Sequence, residues 1–141
     1  MIKEEYVSFE VAKLLKEKAF NEYCWKLYEF GDCDMPVLLN GFELDSESGF
    51  WNNEYLELYK KEHSYINDIC SAPTLQMAMR WLRERKIYIM IDRSWSMADS
   101  WQYCICVNND FDNLIQQTSV PNRTYEEAVE AALKYSLENL I

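Results

Sequence analysis

The most constraining feature of the chain is a change of hydrophobic period within residues 72–107. Leu75, Ala78, Met79 and Leu82 recur at i, i+3, i+4 and i+7, which lays one apolar stripe along a helix and turns Gln76, Arg80, Arg83 and Glu84 away from it. Pro73 suits the helix start, where a missing N–H costs nothing, and Arg83, Arg85 and Lys86 set positive charge against the negative end of the dipole. From Ile87 the period falls to two. Ile87, Ile89 and Ile91 alternate with Tyr88, Met90 and Asp92; after a polar loop at 93–100, Trp101, Tyr103, Ile105 and Val107 alternate with Gln102, Cys104 and Cys106. A helix over 74–86 followed by a hairpin of strands 87–92 and 101–108 is expected. The second hairpin face, with Tyr88, Met90, Cys104 and Cys106, lacks the charge of a solvated sheet face, so a cover over part of it is expected. Met77 and Trp81, at i and i+4, add a second apolar strip to the helix. It reads either as a wide core stripe or as a contact with another chain.

The flanking elements are less sharply marked. Ser8 as N-cap, Val7 as staple and the row Val11, Leu14, Leu15 predict a helix over 8–19. Asn21 can turn the chain, and Tyr23, Trp25 and Leu27 then alternate with Cys24, Lys26 and Tyr28, predicting a strand over 22–30. Val37, Leu38 and Leu39 before Asn40-Gly41, with Phe42 and Leu44 beyond, suggest a small hairpin. Residues 55–59 fit strand and helix templates equally. Lys60, Lys61 and Glu62 open a solvated connection through Tyr65, Ile66 and Ile69. Near the end, Thr124 with Glu127 forms a capping box. Tyr125, Ala128, Val129, Ala132, Leu133, Ser136 and Leu140 then trace a helix over 124–140. The expected fold is a single α+β domain, residues 1–141, with a mainly antiparallel sheet packed by about three helices in the order α-β-(β-β)-α-β-β-α.

An apolar fraction of 49% over 141 residues, with 3 Gly and 3 Pro, excludes a disordered or low-complexity chain. No apolar run reaches the ~18 residues of a membrane span, and residues 1–5 lack the basic and apolar regions of a signal peptide, so a cytoplasmic location and no membrane partner are expected. The 5 cysteines are scattered, without a C-x-x-C pair, and read as reduced packing residues. A net charge of −10 repels phosphate and disfavours direct nucleic-acid binding. Gly31, Gly41 and Gly49 are too isolated to cradle a phosphate, and nothing local activates His63 with Cys70. The spacing of Asp32, Asp34 and Asp45 does not follow a calcium loop. No catalytic residue, metal or cofactor is therefore expected. What remains is aromatic: Trp51, Trp95 and Trp101 lie in or beside loops and either close the core or anchor a partner. Trp95 and Met97 with Arg93 would make an apolar tip with a charged rim. Together with Met77 and Trp81 they are the candidate interaction surface.

Residues 72–84 and 125–141 resemble a family of small uncharacterised proteins from phages, prophages and mobile elements of gut anaerobic bacteria. The resemblance is concentrated in these two stretches and rests on packing patterns. It implies a context and no site residue. The leading expectation is a non-enzymatic protein-interaction module, accessory to such an element, with an unidentified protein partner or a second copy of itself. The alternatives are an acidic nucleic-acid mimic that blocks a DNA-binding protein, and a small enzyme.

Overall fold

A computed structural model describes residues 1–32, 35–41, 50–117 and 121–141. These residues form an α+β structure of four helices and two three-stranded antiparallel sheets. They fall into two compact units, Tyr6–Pro73 and Thr74–Ile141 with Met1–Glu5. Among the described residues no helix is long and apolar enough to cross a membrane.

The Tyr6–Pro73 unit holds α1 (Phe9–Glu17), β1 (Lys26–Phe30), β2 (Val37–Asn40), α2 (Asn53–Glu62) and β3 (Asp68–Ala72), with strand order β2-β1-β3. The α1 N-terminus is fixed as expected, the Ser8 hydroxyl accepting the Val11 N–H at 3.2 Å. The turn after α1 is made by Ala19, at φ 67°, and not by Asn21. Asn21 instead caps α2 from outside, its side-chain oxygen accepting the Glu54 N–H at 2.8 Å. The period-two pattern of β1 then splits its side chains between two helices. Tyr28 and Phe30 meet Phe9 of α1, at centroid distances of 5.6 and 6.1 Å, and the Tyr28 hydroxyl donates to the Val7 carbonyl at 2.7 Å. Leu27 faces the other way, into a cluster with Trp51, Leu56, Ile66 and Ile69 beneath α2. Each fully buried Leu or Ile there contributes roughly 1.5–3 kcal/mol of apolar burial.

Three expectations for this unit are corrected. The strand expected over 22–30 starts only at Lys26, Cys24 making a single isolated bridge to Trp51. The ambiguous stretch is a fourth helix, α2, started by Asn52, whose side chain accepts the Tyr55 N–H at 2.9 Å. The supposed connection through Ile69 ends in a strand, β3, paired with β1 from Lys26↔Ala72 to Phe30↔Asp68. Phe42 and Leu44 of the suggested hairpin lie outside the described residues; Val37–Asn40 pairs with β1 instead.

The second unit holds α3 (Leu75–Glu84), β4 (Ile87–Arg93), β5 (Trp101–Val107), β6 (Ile115–Gln116) and α4 (Tyr125–Asn139), with strand order β4-β5-β6. Thr74 starts α3 by accepting the Met77 N–H at 3.1 Å, and Lys86, at φ 64°, reverses the chain into β4. The expected hairpin forms in continuous register from Ile87↔Val107 to Arg93↔Trp101. Asn108 and Asn109, at φ 52° and 59°, turn the chain towards β6. At α4 the Thr124 hydroxyl accepts the Glu127 N–H at 3.0 Å, while the Glu127 carboxylate takes the N–H of Arg123, one residue before the expected reciprocal partner. Ala78 and Leu82 of α3, and Ala128, Val129, Ala132 and Leu133 of α4, are buried with Ile87 and Ile105 of the sheet. Trp101 on the same sheet face meets Tyr125 edge-on at 5.5 Å. Both helices therefore cover the isoleucine face and leave the opposite face uncovered by either.

Candidate functional site

The loop at 94–100 is closed by its own short side chains. The Ser94 N–H donates to the Ser100 carbonyl at 2.8 Å, and the Ser94 hydroxyl accepts the Met97 N–H at 3.3 Å. The Ser94 and Ser96 hydroxyls lie 3.2 Å apart, and Asp99 adopts φ 55° to bring the chain back. Arg93 donates to the Asp99 carboxylate at 3.3 Å, with its guanidinium 5.3 Å from the Trp101 ring. A serine-rich loop would be a solvated connection but for its two apolar residues. Trp95 is 96% exposed and Met97 48% exposed, two large apolar side chains in the polar loop that Arg93 leads into. Transferring an exposed large apolar side chain into a matching pocket is worth roughly 1.5–3 kcal/mol, and the indole N–H adds a donor that fixes orientation.

Trp81 does not belong to this surface. It is 3% exposed, covered by the Arg85 guanidinium 3.5 Å from its ring, while Arg85 also donates to the Trp81 carbonyl at 3.0 Å. Met77 is half-buried. The second strip on α3 is thus a packing surface, because a cationic side chain one turn further on folds back over the indole. Trp51 also closes a core, its indole N–H donating to the Gly41 carbonyl at 3.0 Å.

The uncovered sheet face carries Met90, Asp92, Gln102, Cys104 and Gln116 around a concavity of about 310 Å³. Burial, then Cys106 and Asp92, raise the Cys104 thiol above its ordinary value, which keeps it protonated. Cys106 is buried and Met90 is 36% exposed, so the expected cover is partial.

The Tyr6–Pro73 unit has its own polar centre. Lys16 pairs with the Glu57 carboxylate and donates to the Ile69 carbonyl at 2.7 Å, and Lys13 meets Asp68 at 3.3 Å. The hydrogen bond from Lys16 holds the Glu57 carboxyl below its ordinary range. These charges are mutually satisfied and tie α1 to β3 and α2. Cys70 is fully buried, its thiol pushed up to about 12 by desolvation, and Nδ1 of His63 sits 2.9 Å from the Tyr59 carbonyl. The Cys70 thiol is therefore not poised as a nucleophile. Among the described residues no three His, Cys, Asp or Glu side chains converge as metal ligands.

Sequence reasoning missed the pair Trp25 and Phe50, whose rings meet at 4.1 Å with planes tilted by 47° and Trp25 52% exposed. Alternation put Trp25 on the same strand side as Leu27, but Trp25 precedes the first residue of β1. Phe111, exposed in the β5–β6 turn, was missed too. The signal available for it was a lone aromatic between Asp110 and Asp112. Comparison of the chain with family models, curated proteins and solved structures gives no match.

Proposed function

We propose that the chain is a non-enzymatic protein-interaction module that docks through the β4–β5 tip, accessory to a phage or other mobile element. The observation that carries this reading is Trp95, almost wholly in water at the apex of a loop whose own hydrogen bonds hold it open. An indole is a costly residue to leave solvated and the side chain most enriched at interface hot spots, where one anchor in a pocket supplies much of the affinity. Met97 beside it offers an adaptable apolar contact, and Arg93, already paired with Asp99, gives the rim polarity without an unpaired charge. The fitting partner is a protein with an apolar pocket that accepts an aromatic side chain. The resemblance of α3 and α4 to a mobile-element family supports the biological context.

The test is parallel affinity capture from host-cell lysate on the wild-type chain and on Trp95→Ser. The reading expects a protein retained by the wild type and depleted at least about tenfold on the variant, the loss typical of a hot-spot residue. Identical capture by both would refute the tip as the docking site.

A further inference from the structure

The two sheets treat their edges differently. In the Tyr6–Pro73 unit the outer edge of β3 is closed by side chains: Asn53 accepts the Ser71 N–H at 2.7 Å, Lys16 donates to the Ile69 carbonyl at 2.7 Å, and Asp68 takes the Ile69 N–H at 2.9 Å. In the other unit β4 is an end strand bonded to β5 alone. The flanking bonds, Ser94 N–H to Ser100 carbonyl at 2.8 Å and Asn108 N–H to Lys86 carbonyl at 2.9 Å, fix the phase of that ladder. Even-numbered residues turn their main-chain groups to β5, and Ile87, Ile89, Ile91 and Arg93 turn theirs outward. Among the described residues nothing pairs with the outward groups of Ile89 and Ile91. Protein edges are ordinarily blunted by charged side chains, proline, a bulge or brevity. This strand is 7 residues long, in unbroken register, with neither proline nor lysine, and its two charges, Asp92 and Arg93, stand together at its far end.

We infer that β4 pairs edge to edge with β4 of a second copy of this chain, antiparallel about a two-fold axis through Met90. The strand is self-complementary in that register. Ile89 falls opposite Ile91, Met90 opposite Met90, and Tyr88 opposite Asp92, where a phenol can donate to a carboxylate. No like charges face each other. Moving the axis to Ile89 sets Arg85 against Arg93, and moving it to Ile91 sets Asp92 and Arg93 against Met90 and Ile89. A parallel pairing of the two β4 edges would set the isoleucine face of one copy beside the opposite face of the other, so the helices of the two copies would lie on opposite sides of the joined sheet. The antiparallel dimer joins two three-stranded sheets into one of six strands and brings the two Met90 side chains together on the face that the helices leave uncovered. Each copy carries −10, so added salt screens the repulsion and tightens the dimer. The pairing shares Arg93 with the Trp95 tip but rests on the main-chain edge of β4, and it stands whether or not that tip binds a partner.

Sedimentation equilibrium of the full chain between about 1 µM and about 1 mM tests it. The wild type is expected to pass from monomer to dimer. Met90→Lys and Met90→Glu each raise the dissociation constant at least about tenfold, because the axis sets each new charge against its own copy, and their equimolar mixture recovers the dimer. Ile89→Pro removes an outward N–H without touching the β5 ladder and also weakens the dimer. A wild type that stays monomeric throughout, charged variants that dimerise like the wild type, or a mixture no more dimeric than its components would each overturn the inference.

Discussion

The side-chain oxygen of Asn53 accepts the Ser71 backbone N–H at 2.7 Å, with both residues buried. The same amide donates to the Phe20 carbonyl at 2.6 Å, so one side chain joins the segment after α1, the start of α2 and the edge of β3. Asn53→Ala strands a donor and an acceptor in the interior, each costing about 1–3 kcal/mol. The expected loss is about 2–4 kcal/mol in urea unfolding, and a loss below about 1 kcal/mol would show that water reaches both groups.

The Lys16 cluster gives a pH dependence of defined sign. Glu57 is held below its ordinary value of 4.5, chiefly by the hydrogen bond from Lys16. A carboxyl depressed in the folded state adds stability above its unfolded value and loses it as pH falls through the folded value. The wild type should therefore lose stability more steeply below about pH 4.5 than Lys16→Met. The difference is small, under about 1 kcal/mol, because Glu57 is 45% exposed and solvent screens the pair. Parallel slopes in urea midpoint against pH for the two proteins would remove Lys16 as the cause.

Thiol chemistry separates the cysteines. Burial pushes Cys24 and Cys70 up to about 12, and both are inaccessible, so iodoacetamide at pH 8 should leave them unmodified in the native chain. Cys104, half-buried with its thiol raised by that burial, should react slowly, and all should react after unfolding. Peptide mass spectrometry reads the order. Labelling of Cys70 as fast as Cys104 would contradict the packing of β3 described above.

Legibility in the sequence followed how each element is buried. The α3–β4–β5 run and α4 were readable because each has one apolar side and a side-chain cap, and both signals are local. β3 was not readable because its Ile69, Cys70, Ser71 and Ala72 are buried in succession, so no alternation exists and Ser71 disguises a buried strand. α2 was ambiguous because its buried residues are only Asn53 and Leu56, and Asn52-Asn53 resembles a turn as readily as a cap. At the candidate site, Trp95 and Met97 stood out as apolar breaks in a polar loop. Trp81 misled because a second apolar strip looks the same whether solvent or Arg85 lies over it.

The net acidity leads to a negative expectation for nucleic acid. Glu126, Glu127 and Glu138 are exposed on α4, but Glu127 is engaged at the helix start and Lys134 interrupts the row. No gel shift of duplex DNA is expected at moderate salt, nor competition with DNA for a basic protein. Salt-sensitive competition lost on neutralising these glutamates would favour mimicry instead.

The docking role proposed for Trp95 is tested most directly at the indole itself. Labelling the 5 tryptophans with 5-fluorotryptophan gives one fluorine signal each, with that of Trp95 assigned by its absence in Trp95→Phe. In the free chain the Trp95 signal should show the full solvent isotope shift, and those of Trp51 and Trp81 almost none. Adding the captured partner should shift or broaden the Trp95 signal and abolish its isotope shift while Trp51 and Trp81 stay unchanged. A Trp95 signal that remains sharp and fully solvated with partner bound, while that of Trp25 changes, would contradict the account and move the docking surface to the Tyr6–Pro73 unit.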